Sequence, residues 1–195
     1  MIFILILRFN TEVLKLPNNF LLTGNPGVGK TTVVKKVVSE LRKKDYKIGG
    51  VYCPEIRSNG YRKGFKITDI MSDQSMILAH IDEDYGPRVS KYRVNVENID
   101  LISDSAISKA LREADLIIID EIAPMEAYSN VFNQKVKEAL ESKKPLLGVI
   151  HKRSRKGFIG EVKGWDDIKM FIIDKENRDS LPNKLKTKIR EKISE

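Results

Sequence analysis

The stretch from Gly24 to Thr32, GNPGVGKTT, constrains this chain more than any other. It satisfies the pattern G-x-x-x-x-G-K-S/T at Gly24, Gly29, Lys30 and Thr31, with Asn25, Pro26, Gly27 and Val28 in the variable places and Thr32 behind. Successive backbone N–H groups can converge on phosphate oxygens only where the chain turns tightly, which the glycines permit. The helix that follows adds the positive end of its dipole. Lys30 is then placed to reach the β- and γ-phosphates of a nucleotide, and Thr31 to offer its hydroxyl to Mg²⁺. Both flanks agree with this reading. Phe20-Leu21-Leu22 has the character of a buried strand. Val33, Val34, Val37, Val38 and Leu41 recur at helical spacing, with Lys35, Lys36, Glu40 and Arg42 on the opposite face.

A second run completes the pattern. Leu116 to Ile119 is continuously apolar and ends in Asp120 and Glu121. A buried strand that delivers Asp120 to the carboxyl edge of a sheet sets it beside the glycine loop, where it can hold Mg²⁺ directly or through water. Glu121, one residue on, is a candidate base for an attacking water, since that role needs hydrogen-bond reach more than an unusual sequence. Transfer of a phosphoryl group also needs positive charge where negative charge develops, which makes Arg57, Arg62, Arg153, Arg155 and Arg178 candidates. His80 and His151 read as surface or packing residues, and no His/Cys cluster has metal-site spacing.

Between these runs the chain predicts a sheet that is parallel at its centre. Gly49-Gly50 reads as a turn into a strand carrying Val51 and Tyr52, and Asn59-Gly60 as the turn of a hairpin. Short strands are expected at Met76–Ala79 and Tyr92–Val96. A helix capped by Ser103 or Asp104 carries Ile107, Ala110, Leu111 and Ala114 inward. Another, near Glu126–Leu140, turns Tyr128, Val131, Phe132, Val136 and Leu140 to the core, and Pro145 ends its exit loop. Strands at Leu146–Ile150 and Met170–Ile173 follow, then a terminal helix marked by Leu185, Ile189 and Ile193. Strands alternating with helices imply an α/β fold whose sheet is covered on both faces, with small antiparallel additions.

Length and charge narrow the possibilities further. A chain of 195 residues suits one domain. Its lone cysteine, Cys53, excludes an internal disulfide, fits a reducing cytoplasm and reads as a strand residue. The net charge of +8 favours polyphosphate ligands. Nucleic acid is a possible partner without support from any dense basic run or basic-aromatic patch. The apolar opening Met1–Leu7 is too short to span a bilayer and lacks signal-peptide features. It reads as an added edge strand or the product of an upstream start, within a possible N-terminal extension over residues 1–18.

Together these motifs resemble the THEP-type nucleoside triphosphatases, the small P-loop family that includes the human cancer-related nucleoside triphosphatase. The resemblance spans Phe20 to Leu185. It rests on GNPGVGKTT, on EIRSNGYRKGF from Glu55 to Phe65, on DEIAPME from Asp120 to Glu126, and on NRDSLP from Asn177 to Pro182. It implies Mg²⁺-dependent hydrolysis of ATP, GTP, CTP and UTP to diphosphate and phosphate. It also implies a three-layer P-loop NTPase sandwich of ASCE or RecA-like order, in which another strand separates the P-loop strand from the Asp120 strand. Arg57 and Arg62 fall in the distinctive arginine-glycine segment. On position alone, Asn177, Arg178 and Asp179 follow the last strand and are expected either to border the nucleotide's base or sugar or to serve as a structural cap on the terminal helix. Where relatives commonly carry Gly-Lys, this chain has Ala123-Pro124. A monomer is expected.

Two other readings share the same residues. A P-loop kinase would use Lys30, Thr31 and Asp120 with a lid bearing Arg153 and Arg155, and would need an acceptor. A nucleotide switch or nucleic-acid-associated ATPase is the second, although no N-K-x-D guanine-reading element occurs.

Overall fold

The computed structural model describes residues 17–194, so the expectations for the N-terminal apolar run fall outside the described residues. Along the chain come β1 (Asn19–Gly24), α1 (Lys30–Arg42), β2 (Ile48–Tyr52), β3 (Glu55–Ser58), β4 (Tyr61–Asp69), β5 (Ser75–His80), β6 (Arg88–Val89) and β7 (Tyr92–Val94). Then follow α2 (Val96–Glu113), β8 (Leu116–Ile122), a 3₁₀ turn (Glu126–Tyr128), α3 (Asn130–Glu141), β9 (Leu146–Ile150), α4 (Gly157–Lys163), β10 (Ile168–Ile173) and α5 (Leu181–Ile193).

One sheet gathers the strands in the order β10-β1-β9-β8-β2-β4-β5-β7-β6, with β3 paired to β4. The first five run parallel to their neighbours, and β2 passes to β4 in antiparallel register. β9 separates the P-loop strand β1 from the carboxylate strand β8, the order the resemblance implies. Alternate strand residues feed two cores. Phe20, Leu22, Ile118 and Val149 meet α1 and α5 on one face. Leu21, Ile117, Ile119 and Ile150 meet α2, α3 and α4 on the other. Strands buried on both faces must be apolar throughout, which is why β1 and β8 lack the alternation of a half-exposed strand.

The β3–β4 hairpin turns on Asn59 (φ 50°) and Gly60 (φ 80°), as expected for a two-residue loop of this composition. Elsewhere the elements depart from the sequence reading. Gly49 and Gly50 lie inside β2. Gly50 takes φ 109°, and a Cβ there would sit 2.0 Å from the Ile118 carbonyl oxygen, so close strand packing rather than a turn demands the glycine. Helix α2 begins about two turns before Ser103. Asn95 caps it by accepting from the Asn98 N–H at 3.0 Å, and Ser103 is buried in its middle. The strand expected to Val96 therefore ends at Val94.

The expected helix at Glu126 is interrupted. Ser129 closes the 3₁₀ turn and caps α3 by accepting from the Phe132 N–H at 2.8 Å. That break swings Tyr128 outward to 48% exposure instead of into the core, and Val131 is only half-buried. Cys53 lies just past the end of β2. Strand β6 and helix α4 carry too few apolar repeats to be read from sequence.

Candidate active site

The glycine loop leaves β1 at Gly24 and enters α1 at Lys30. Gly29 holds φ 106° in the left-handed region at the helix N-cap, a conformation a side chain would strain. The Lys30 ammonium folds back to the carbonyl oxygens of Gly24 and Asn25, both at 3.3 Å. These are long bonds to neutral acceptors, so the ammonium is free to exchange them for phosphate oxygens.

Thr31, one residue into α1, donates its hydroxyl to Asp120 Oδ1 at 3.3 Å. Two segments 89 residues apart in sequence thus present a hydroxyl and a carboxylate to one point. Asp120 is 4% exposed. Burial pushes its carboxyl up to about 7, with Glu121 adding to the rise and Thr31 and Lys30 opposing it. Burial also raises the half-buried Glu121, against the pull of Lys30. A third carboxyl, Glu126, lies under this pair in the 3₁₀ turn and is driven to about 8 by burial and by Glu121. Its Oε2 has no hydrogen-bond partner among the described residues. The Cys53 thiol lies beside Glu126 and is pushed well above its ordinary value by burial and by Glu126. Tyr52, opposite Asp120 in the β2–β8 register, is raised to about 12 by burial and by Asp120.

Because β9 stands between β1 and β8, its exit loop opens between the phosphate loop and the carboxylates. Lys152 on that loop donates to Asn25 Oδ1 at 2.9 Å. His151, at the strand's end, shares a 2.7 Å hydrogen bond between Nδ1 and the Ser154 hydroxyl. Its pKa is lowered by burial and then by Lys163, Lys30 and Arg153. The loop's shape comes from Lys163 at the end of α4. Its ammonium donates to the carbonyl oxygens of His151 (2.6 Å), Lys152 (3.0 Å) and Ser154 (2.7 Å).

The arginines divide. Arg57 bonds Glu55 through Nε at 2.8 Å and the Gly60 carbonyl through Nη1 at 3.0 Å. Arg62 bonds the other oxygen of Glu55 at 2.5 Å and the Tyr92 hydroxyl at 3.2 Å, with its guanidinium over the Phe65 ring. Both are engaged in holding the hairpin. Arg178 lies against the phosphate loop instead: a Cβ at Gly29 would stand 3.9 Å from its Cδ. Asn177 shapes the same turn, donating to the Ile172 carbonyl at 2.9 Å and accepting from the Asp174 N–H at 3.2 Å.

Sequence reasoning singled out Lys30, Thr31, Asp120 and Glu121, and the structure brings them together. It missed Lys152, Lys163 and Glu126 and passed over His151 as packing. The signal for the first and last was the basic string after β9, once β9 is placed beside β1.

The donor set suits a hard divalent cation. Mg²⁺ is usually held by one or two carboxylates and a hydroxyl together with phosphate oxygens rather than by an all-protein cage. Among the described residues no group of three or more His, Cys, Asp or Glu side chains forms such a cage. Thr31 and Asp120 are the residues that would hold the ion, and added positive charge there would relieve the buried carboxylate.

A family model for NTPases matches residues 19–186. The nucleoside-triphosphatase THEP1 of Thermofilum pendens is 42% identical over 172 residues, covering 88% of this chain and 94% of that protein. That of Methanopyrus kandleri is 38% identical, covering 92% and 99%. The crystal structure of THEP1 from Aquifex aeolicus superposes with a TM-score of 0.76 at 29% identity, covering 86% of this chain and 96% of that one. The solution structure of a human cancer-related nucleoside triphosphatase superposes at 0.74 and 30%, covering 89% and 97%. With the P-loop on β1, the carboxylates on β8 and β9 between them, the chain belongs to the THEP1-type NTPase family.

Proposed function

We propose that this protein hydrolyses nucleoside triphosphates to diphosphate and phosphate, depends on Mg²⁺, and tolerates all four common bases. The observation that carries the reading is the Thr31–Asp120 contact at 3.3 Å beside Lys30, which joins a phosphate cradle to a buried carboxylate. Lys30 exchanges its two carbonyl acceptors for β- and γ-phosphate oxygens, and the backbone from Asn25 to Thr32 lines the phosphates. When bound by Thr31 and Asp120, Mg²⁺ would neutralise charge on the β- and γ-phosphates. Glu121 is the candidate base, since it adjoins Lys30 and is held partly out of water. Base tolerance follows if affinity resides in phosphate contacts, with Asn177 and Arg178 at the border of the base or sugar. Names of the relatives point the same way, each being a nucleoside-triphosphatase.

The test is phosphate release from ATP, GTP, CTP and UTP, with Mg²⁺ and with chelator, by the full chain and by Lys30→Ala. Hydrolysis of all four, lost with chelator and in a folded Lys30→Ala protein, is the expected result. A preference above about a hundredfold for one base, nearly 3 kcal/mol, would overturn broad tolerance. Release that needs an added acceptor would make the protein a kinase.

A further inference from the structure

A cavity opens at the carboxyl edge of the sheet, with no residue of α1 in its lining. It measures about 720 Å³ and lies between the turn that follows β8 and the loop that follows β9. Pro124 and Tyr128 line one side, and Arg153, Arg155, Lys156 and Phe158 the other. Three features distinguish it from ordinary surface. Among the described residues the side chains of Arg153, Arg155 and Lys156 make no hydrogen bond or ion pair, whereas Arg57 and Arg62 are both spent on Glu55. The loop that bears them is held in one shape by the three carbonyl bonds of Lys163, so their presentation is built in advance of any ligand. Tyr128 is left 48% exposed on the wall by the break at Ser129, with Phe158 half-buried across from it.

Unpaired guanidinium groups fit phosphate oxygens with two donors at once, and an exposed aromatic ring offers a face to another planar ring. We propose that this cavity binds a 5′-phosphorylated nucleoside, its phosphate on Arg153 and Arg155 and its base against Tyr128. No residue of the P-loop lines it, and the proposal requires that it fill while a triphosphate occupies that loop. The same chemistry exists in free mononucleotides and at the 5′ end of a nucleic-acid strand; a volume of about 720 Å³ falls in the range of small-molecule sites and favours the free form.

Isothermal titration tests this with AMP, GMP, CMP, UMP, inorganic phosphate and a 5′-phosphorylated oligonucleotide. Each is added to protein saturated beforehand with Mg²⁺ and a non-hydrolysable triphosphate. At least one mononucleotide should bind saturably, about tenfold or more tighter than inorganic phosphate. Arg155→Ala and Tyr128→Ala should each weaken it by about tenfold, Tyr128→Phe should preserve it, and neither tyrosine variant should change basal hydrolysis. No saturable mononucleotide binding overturns the proposal. So does binding that disappears once the P-loop is filled, affinity no better than that of phosphate, or binding of the oligonucleotide alone that ignores Tyr128→Ala.

Discussion

Lys152 Nζ and Asn25 Oδ1 are hydrogen-bonded at 2.9 Å across 127 residues of sequence, tying the loop after β9 to the loop that receives phosphates. The bond is exposed and charge-assisted, so its loss should be felt in ligand affinity before stability. Lys152→Ala should weaken nucleotide binding about threefold to tenfold, up to about 1.4 kcal/mol, with the melting temperature nearly unchanged. Calorimetric titration with a non-hydrolysable triphosphate measures this, and an unchanged affinity would show the tie to be incidental.

Arg178 and Arg62 should separate in a paired comparison. Arg62→Ala gives up Glu55, the Tyr92 hydroxyl and the Phe65 ring. It should therefore lower the melting temperature by a few degrees, on the order of 1 kcal/mol. Arg178→Ala loses contact with the phosphate loop and should weaken triphosphate binding about tenfold with little change in melting. If instead Arg57→Ala or Arg62→Ala cut kcat more than about a hundredfold in a fully stable protein, the hairpin must release an arginine from Glu55 to the phosphates during turnover.

Gly50→Ala should be severe. The added methyl would need positive φ and would meet the Ile118 carbonyl at 2.0 Å in the middle of the parallel sheet. A loss of at least about 3 kcal/mol is expected, or failure to fold, measured by urea denaturation. Gly60→Ala, with the same sign of φ but open space around it, should cost about 1 kcal/mol.

Glu126 sets a pH dependence whose sign is opposite to that of an ordinary ion-paired carboxylate. Its folded pKa of about 8 lies above the carboxylate value expected when unfolded. Between the two, the folded protein keeps a proton that the unfolded chain has released. Stability from this group is therefore complete below the ordinary carboxylate range and is lost as pH rises toward about 8, by at most about 1.4 kcal/mol per pH unit. Glu126→Gln should flatten metal-free melting temperature over this range and melt higher than the parent near pH 8. A parallel decline in both proteins would assign the slope to Asp120, whose folded value of about 7 acts in the same direction.

What was legible in the sequence follows from how local each signal is. The P-loop, the Asp120 strand and the Asn59-Gly60 turn are specified by contiguous residues, and they stand where their patterns place them. Gly49-Gly50 was misread because the same residue serves turns and crowded strands, and only the neighbouring Ile118 decides between them. Tyr128 was misread because the periodicity of α3 extends past Ser129, whose side chain starts the helix later. Neither the engagement of Arg57 and Arg62 with Glu55 nor the reach of Lys152 to Asn25 has any local signature, since each depends on which strands end up adjacent.

The position of β1 also governs when the nucleotide site can exist. Its two hydrogen-bonded neighbours are β9 and β10, which begin at residues 146 and 168. The phosphate loop is synthesised early, yet the strand that anchors it has no partner until the last quarter of the chain arrives. During synthesis the antiparallel hairpins and α2 can form locally, whereas β1 must wait in an unpaired state. Triphosphate affinity should therefore emerge late and all at once, and a chain stopped before β9 should bind none, although it contains every residue of the motif.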